Sequence, residues 1–148
     1  EDSLFLLHEL RQSNAVEELV DHSSQLRPHG AAGAVALALG IAQALYDKQA
    51  EDIRILDVRG ISTVTDICVI ASGTSAPHLK ALQKAAQTYL KTSSDTRYRT
   101  SGESDSGWVL LDAFTVVIHV FAPEAREYYD IEALWQGAKE IPFTPNIP

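Results

Sequence analysis

Apolar residues fall at two different periods along this chain. Leu4, Leu7 and Leu10, then Val16, Leu19 and Val20, recur at helical spacing. They predict two short amphipathic helices over residues 3–10 and 15–26, with Ser13 or Asn14 as a cap between them. Residues 27–33 carry the proline and glycines that end helices and read as a linker, so residues 1–33 form a helical appendage. A third helix is predicted over 34–49, apolar at Leu37, Ile41, Ala44 and Leu45. Gly40 is its weak point, at about 1 kcal/mol relative to alanine.

After this helix the period changes to short apolar runs at 53–58, 67–71, 108–111 and 116–121, which predict strands. The second and fourth are apolar at almost every position, as in central strands covered on both faces. Residues 59–65 are too few for a helical crossover, so the first two strands should pair antiparallel, and residues 108–121 read as a hairpin. Between these pairs lie a helix over 77–91, with Leu79, Leu82, Ala86 and Tyr89 on one face, and a weak strand at 98–102. A last short helix is predicted over 131–138, its Leu134 and Trp135 docking back on the domain. The expected architecture is a single α/β domain over 34–138, a mixed, roughly five-stranded sheet flanked by helices, followed by a tail over 139–148.

Charge sharpens this picture. The 148 residues include 20 acidic and 12 basic side chains, for a net charge of −8, which disfavours sequence-blind nucleic-acid or anionic-membrane binding by the chain as a whole. The charge is also segregated: residues 79–102 carry a net +4, whereas residues 103–148 carry −6, so a basic partner would be drawn to the C-terminal third. A single cysteine, Cys68, allows no internal disulfide, and no long apolar run suggests a membrane span. A soluble protein of a reducing compartment is expected, with a trimmed or processed N-terminus, since the chain does not begin with Met.

Candidate chemistry is sparse. Gly73, Thr74 and Ser75 lie between a buried strand and a helix start, where free N–H groups favour an anion. The same residues serve equally as a turn and a helix cap, with Gly73 in a backbone geometry that a side chain would strain. Ser75 and His78 are spaced as a nucleophile and base could be, but no third orienting group is evident, and Ser-Ala-Pro-His also reads as a capped helix with Pro77 in its first turn. Five scattered histidines and one thiol make no zinc pattern, and His119, in an apolar strand, reads as a satisfied or interface histidine. Asp57 and Asp66 each lack the second carboxylate two positions on that metal-dependent phosphoryl transfer would need. Asp66 is instead placed to satisfy turn amides. Lys80, Lys84 and Lys91 form one helical stripe, conceivable as a nucleic-acid patch, but such a stripe is usually a solvated face and the missing interleaved aromatics favour that reading. What remains is surface of the interaction type: Glu103, Asp105, Trp108 and Asp112, then Pro123, Arg126, Tyr128 and Tyr129. Trp108 can be an exposed anchor or a core residue; Trp135 reads as core.

The ordered run Asp57-Val58-Arg59-Gly60, Thr65-Asp66, Gly73-Thr74-Ser75 with His78, Trp108, Asp112, His119-Val120-Phe121 and Arg126-x-Tyr128-Tyr129 to Leu134-Trp135 closely resembles the Iojap family, the ribosomal silencing factors. The likeness covers about residues 34–138. It implies a nucleotidyltransferase-like α/β fold without transferase activity, needing no cofactor or metal. It also implies binding to the large ribosomal subunit through the fourteenth protein of the large-subunit series, which would block joining of the small subunit and lower translation. Members occur in bacteria, mitochondria and plastids, so a bacterial cytoplasm or an organellar matrix is expected, with no membrane and no sequence-specific nucleic acid as partner. The resemblance places the partner surface at Trp108, Asp112, Glu103 and Asp105; His119 and Tyr128 complete the candidate set. One departure stands out: where the family has a Gly-Asp pair at the hairpin turn, this chain has Phe114-Thr115. Two rival readings are a nucleotide-dependent enzyme using Gly73, Thr74, Ser75 and His78, and a homodimer formed through the exposed hairpin edge.

Overall fold

The computed structural model describes residues 30–62, 65–93 and 97–147. The two helices expected before residue 27 lie outside the described residues. Helix α1 (Gly30–Asp47) begins four residues earlier than predicted, so Gly30 to Gly33, read as linker, belong to its first turn. Its buried positions Ala34, Ala38, Ile41, Ala42 and Leu45 make one stripe, as a 3.6-residue period requires.

Strands β1 (Glu51–Asp57) and β2 (Ile67–Ser72) follow, then α2 (Ala76–Thr92), β3 (Arg99–Glu103), a 3₁₀ turn (Ser104–Ser106), β4 (Trp108–Asp112) and β5 (Val116–Phe121). Two short helices, α3 (Pro123–Tyr129) and α4 (Ile131–Leu134), precede β6 (Lys139–Glu140). The sheet has six strands in the order β3-β4-β5-β2-β1-β6 rather than five. β2 and β5 pair in parallel at the centre and every residue of both is buried; β1–β2, β3–β4, β4–β5 and β1–β6 are antiparallel. The sixth strand falls in the stretch read as a tail. That stretch is docked, with the Ile141 N–H donating to the Ile55 carbonyl at 2.8 Å and Phe143 meeting Tyr46 edge-on at 6.5 Å. Gln43 exchanges hydrogen bonds with the Asn146 backbone. The predicted helix over 131–138 is shorter, and α3 before it was not predicted.

Alternation along the strands divides the core in two. Ile55, Val69, Ala71, Val109, Leu111, Ile118 and Val120 face α1 and α2. Leu56, Cys68, Ile70, Trp108, Leu110, Val117 and Phe121 face the other way, under Tyr129, Ile131, Leu134 and Trp135 from α3, α4 and the segment after them. Helices α1 and α2 run antiparallel, since His78 near the start of α2 meets Lys48 while Tyr89 near its end meets Gly40. A Cβ at Gly40 would stand 1.8 Å from the Tyr89 hydroxyl oxygen, so this glycine is a packing requirement and not only a weak point. Among the described residues no helix is long and apolar enough to cross a membrane.

Candidate functional site: an acidic shelf over a buried aromatic stack

Strand register sets Glu103, Trp108, Phe121 and Ser72 in one row across four strands, at the carboxyl ends of the parallel pair. The next row on the same face holds Ser101, Leu110, His119 and Ile70, and the one after it Arg99, Asp112, Val117 and Cys68. Four of the six sequence-predicted site residues, Glu103, Trp108, Asp112 and His119, therefore lie on one sheet face; Asp105 follows on the 3₁₀ turn and Tyr128 stands on α3.

They do not all reach solvent. Trp108 is 5% exposed, which corrects the expectation of an exposed anchor and leaves the core alternative. Its ring lies 4.5 Å from Tyr129, 5.1 Å from Phe121 and 5.8 Å from His119, centroid to centroid, and its indole N–H donates to His119 Nδ1 at 3.2 Å. His119 is 1% exposed; burial pulls its pKa down to about 3, so the ring is neutral and accepts the indole proton on Nδ1. Asp112 is 4% exposed, and its carboxylate accepts the Phe114 N–H at 3.0 Å, holding the hairpin turn. Phe114 sits there at φ 72°, in the left-handed region that favours glycine, with its N–H held by Asp112.

Glu103, Asp105 and Tyr128 are the exposed members of the set, Tyr128 at 75%. Tyr128 stands edge-on to Tyr129 at 5.0 Å, which ties the exposed ring to the buried stack. The 3₁₀ turn carrying Asp105 packs against α2, and Gly107 just after it meets α3: the Ala122 N–H donates to the Gly107 carbonyl at 2.8 Å and a Cβ at Gly107 would lie 3.3 Å from that of Ala125. Glu124, Glu127 and Asp130 are exposed on α3 and at its end, so five carboxylates and one tyrosine share this shelf. Among the described residues none of the five is ion-paired.

The shelf is clamped from below by a cation expected at the surface. Arg126, 12% exposed at its side chain, donates to Glu132, to the Asp52 carbonyl at 2.7 Å and to Ser72 Oγ at 2.8 Å. Arg54 adds bonds to Glu132 at 2.6 Å and Glu140 at 2.8 Å. Burial pushes the Glu132 carboxyl up, but hydrogen bonds from Arg126 and Arg54 outweigh it and hold the pKa below the ordinary value. Spacing carried this signal: Arg126 and Tyr129, three apart on α3, share its inward face.

The alternative loop is satisfied structurally. Ser75 Oγ accepts the His78 backbone N–H at 3.1 Å as a helix cap. The His78 ring accepts the Thr74 N–H on Nδ1 at 2.9 Å and meets the Lys48 carbonyl through Nε2 at 2.8 Å. Gly73 is not in the left-handed region, which corrects the expected reason for it; a Cβ there would stand 2.8 Å from Leu79 and 3.0 Å from Leu82. Asp57 is engaged by Arg59, whose hydrogen bonds lower its pKa. Buried Cys68 has its thiol pushed up to about 12, chiefly by burial, and stays protonated.

A family model described as "Ribosomal silencing factor during starvation" matches residues 31–147. The chain belongs to the ribosomal silencing factor (Iojap) family. A ribosomal silencing factor from Chromobacterium violaceum is 39% identical over 97 residues, covering 66% of this chain and 80% of that protein. The mouse protein named "Mitochondrial assembly of ribosomal large subunit protein 1" is 36% identical over 94 residues, 62% of this chain and 41% of its own length. A crystal structure from Chromobacterium violaceum superposes with a TM-score of 0.63 at 35% identity, covering 77% of this chain and 92% of that one. As a ribosomal silencing factor the chain falls among regulators of the ribosome, and the α/β fold expected from the resemblance is the fold observed.

Proposed function

We propose that this chain binds the large ribosomal subunit at its joining face, through the fourteenth protein of that subunit, and excludes the small subunit by occupying space. The exposed carboxylates together with the exposed Tyr128 carry this reading, because a ribosomal-protein surface is basic and would be steered to them. Glu103, Asp105 and Tyr128 make the contact. Trp108, His119 and Asp112 act from beneath, fixing the sheet end and hairpin on which those three stand. No reaction is needed: repression follows occupancy. The name of the mouse relative, which ties that protein to the large subunit, agrees with the choice of subunit. The enzyme reading is disfavoured by the loop itself, where Ser75 Oγ caps α2 instead of facing an imidazole base. The cell compartment is a bacterial cytoplasm or an organellar matrix.

Sedimentation of the purified chain with separated subunits tests this. Co-migration with large subunits and a reduced yield of joined ribosomes on adding small subunits is expected, weakening as salt rises. Migration with small subunits alone, or with neither, overturns it.

A further inference from the structure

Three exposed lysines stand on helix α2, on the opposite side of the sheet from the carboxylates of α3. Helix α2 packs on the face holding Val109, Leu111 and Val120, whereas α3 packs on the face holding Trp108 and Phe121. Lys80, Lys84 and Lys91 are all exposed on α2 and, at 100° per residue, fall within roughly 40° of one another. At 1.5 Å per residue they are spaced about 6 Å and 10 Å along the axis. Exposed Arg97 continues the patch beyond the helix.

A merely solvated helix face normally mixes signs, with acids three or four residues from each lysine. The 17 residues of α2 contain no Asp or Glu, and its first turn holds no acid to complement the helix dipole. Among the described residues none of the three lysines is ion-paired. In a chain of net charge −8, a helix stripped of acids is an arrangement that solubility does not require.

We infer that the Lys80, Lys84, Lys91 stripe is a second contact surface, taking the phosphate backbone of RNA while the acidic shelf on the other face takes a basic protein. The inference rests on the proposed ribosomal docking, since a ribonucleoprotein offers both partners. Net negative charge keeps the stripe weak toward free RNA; its effect is greatest once the shelf has brought it close. The contact reads charge, not sequence, because the stripe has no interleaved aromatic ring to stack on a base.

The test compares the wild-type chain, a triple Lys80→Gln, Lys84→Gln, Lys91→Gln variant and the corresponding triple Lys→Arg variant. Each is titrated against purified large subunits and, separately, against a fluorescein-labelled 20-base-pair RNA duplex at low salt. The glutamine variant should keep its melting temperature, lose at least about tenfold in affinity for both probes, and show a log–log salt slope shallower by about 2 to 3. The arginine variant should bind as wild type. Unchanged affinity and slope in the glutamine variant would make the stripe a solvated face and overturn the inference. Tighter binding to large subunits would overturn it too, as expected if the lysines oppose a basic surface. If the wild-type chain ignores large subunits, the proposed function falls, and the duplex arm still decides the stripe.

Discussion

Trp108 and Tyr128 divide the work that a single aromatic anchor would have done. Trp108 sits within a stack of His119, Phe121 and Tyr129, so Trp108→Ala should cost about 3–5 kcal/mol of folding stability in denaturant titration. Tyr128 is outside the stack, and Tyr128→Ala should leave stability within about 0.5 kcal/mol while weakening large-subunit binding by about 2 kcal/mol. A Tyr128→Ala variant that unfolds easily, or binds as wild type, would show that the shelf is not the contact. His119 makes the fold sensitive to acid. Folded, the ring stays neutral down to about pH 3; unfolded, it takes a proton near its ordinary 6.5. Its contribution is thus complete above pH 6.5 and is lost as pH falls toward 3, by up to about 1.4 kcal/mol per pH unit. Denaturant midpoints between pH 7 and 4 should fall along that limb, and His119→Gln, which keeps an acceptor for the indole, should flatten it.

Helix α1 and the loop before α2 carry glycines whose importance is steric. By propensity alone Gly40→Ala should stabilise α1 by about 1 kcal/mol. Because the Tyr89 ring occupies the space, overpacking of about 1–3 kcal/mol should win, and calorimetry should show a lower melting temperature. In a Tyr89→Ala background the sign should reverse, with Gly40→Ala now raising it. Gly73→Val should likewise cost about 1–3 kcal/mol by driving a side chain into Leu79 and Leu82. The elements that were legible in sequence are those whose own residues stabilise them. β2 and β5 announce themselves as unbroken apolar runs because both faces are covered, and α2 shows Leu79, Leu82 and Ala86 of its buried stripe, which closes with Leu90 where Tyr89 was expected. Those that were not legible are held by distant partners. The seven residues of α3 have no apolar repeat and depend on Arg126 reaching Ser72 and Asp52. β6 is two exposed residues whose pairing is all backbone and Arg54. The burial of Trp108 was undecidable for the same reason, since its cover, Tyr129, comes from the helix that sequence did not reveal.

At the scale of the molecule, the sheet stands between the lysines of α2 and the carboxylates of α3. The sheet also has two borders, and they are protected differently. β3 carries Gly102 at φ 80° and ends in the charged Glu103, while the border at β1 is closed by β6 and by the Ile141 N–H on the Ile55 carbonyl. Those last few bonds lie over the buried Ile55 and Leu56, so stopping the chain at Ala138 would bare unsatisfied amides and carbonyls along that end of β1. Light scattering on such a truncation should reveal self-association through strand addition, where the longer chain remains dispersed. A monodisperse truncated monomer would mean that β1 needs no cover. With self-association as the outcome, the two-residue strand is a stopper against polymerisation, its contribution measured less by the stability it adds to one molecule than by the copies it keeps apart.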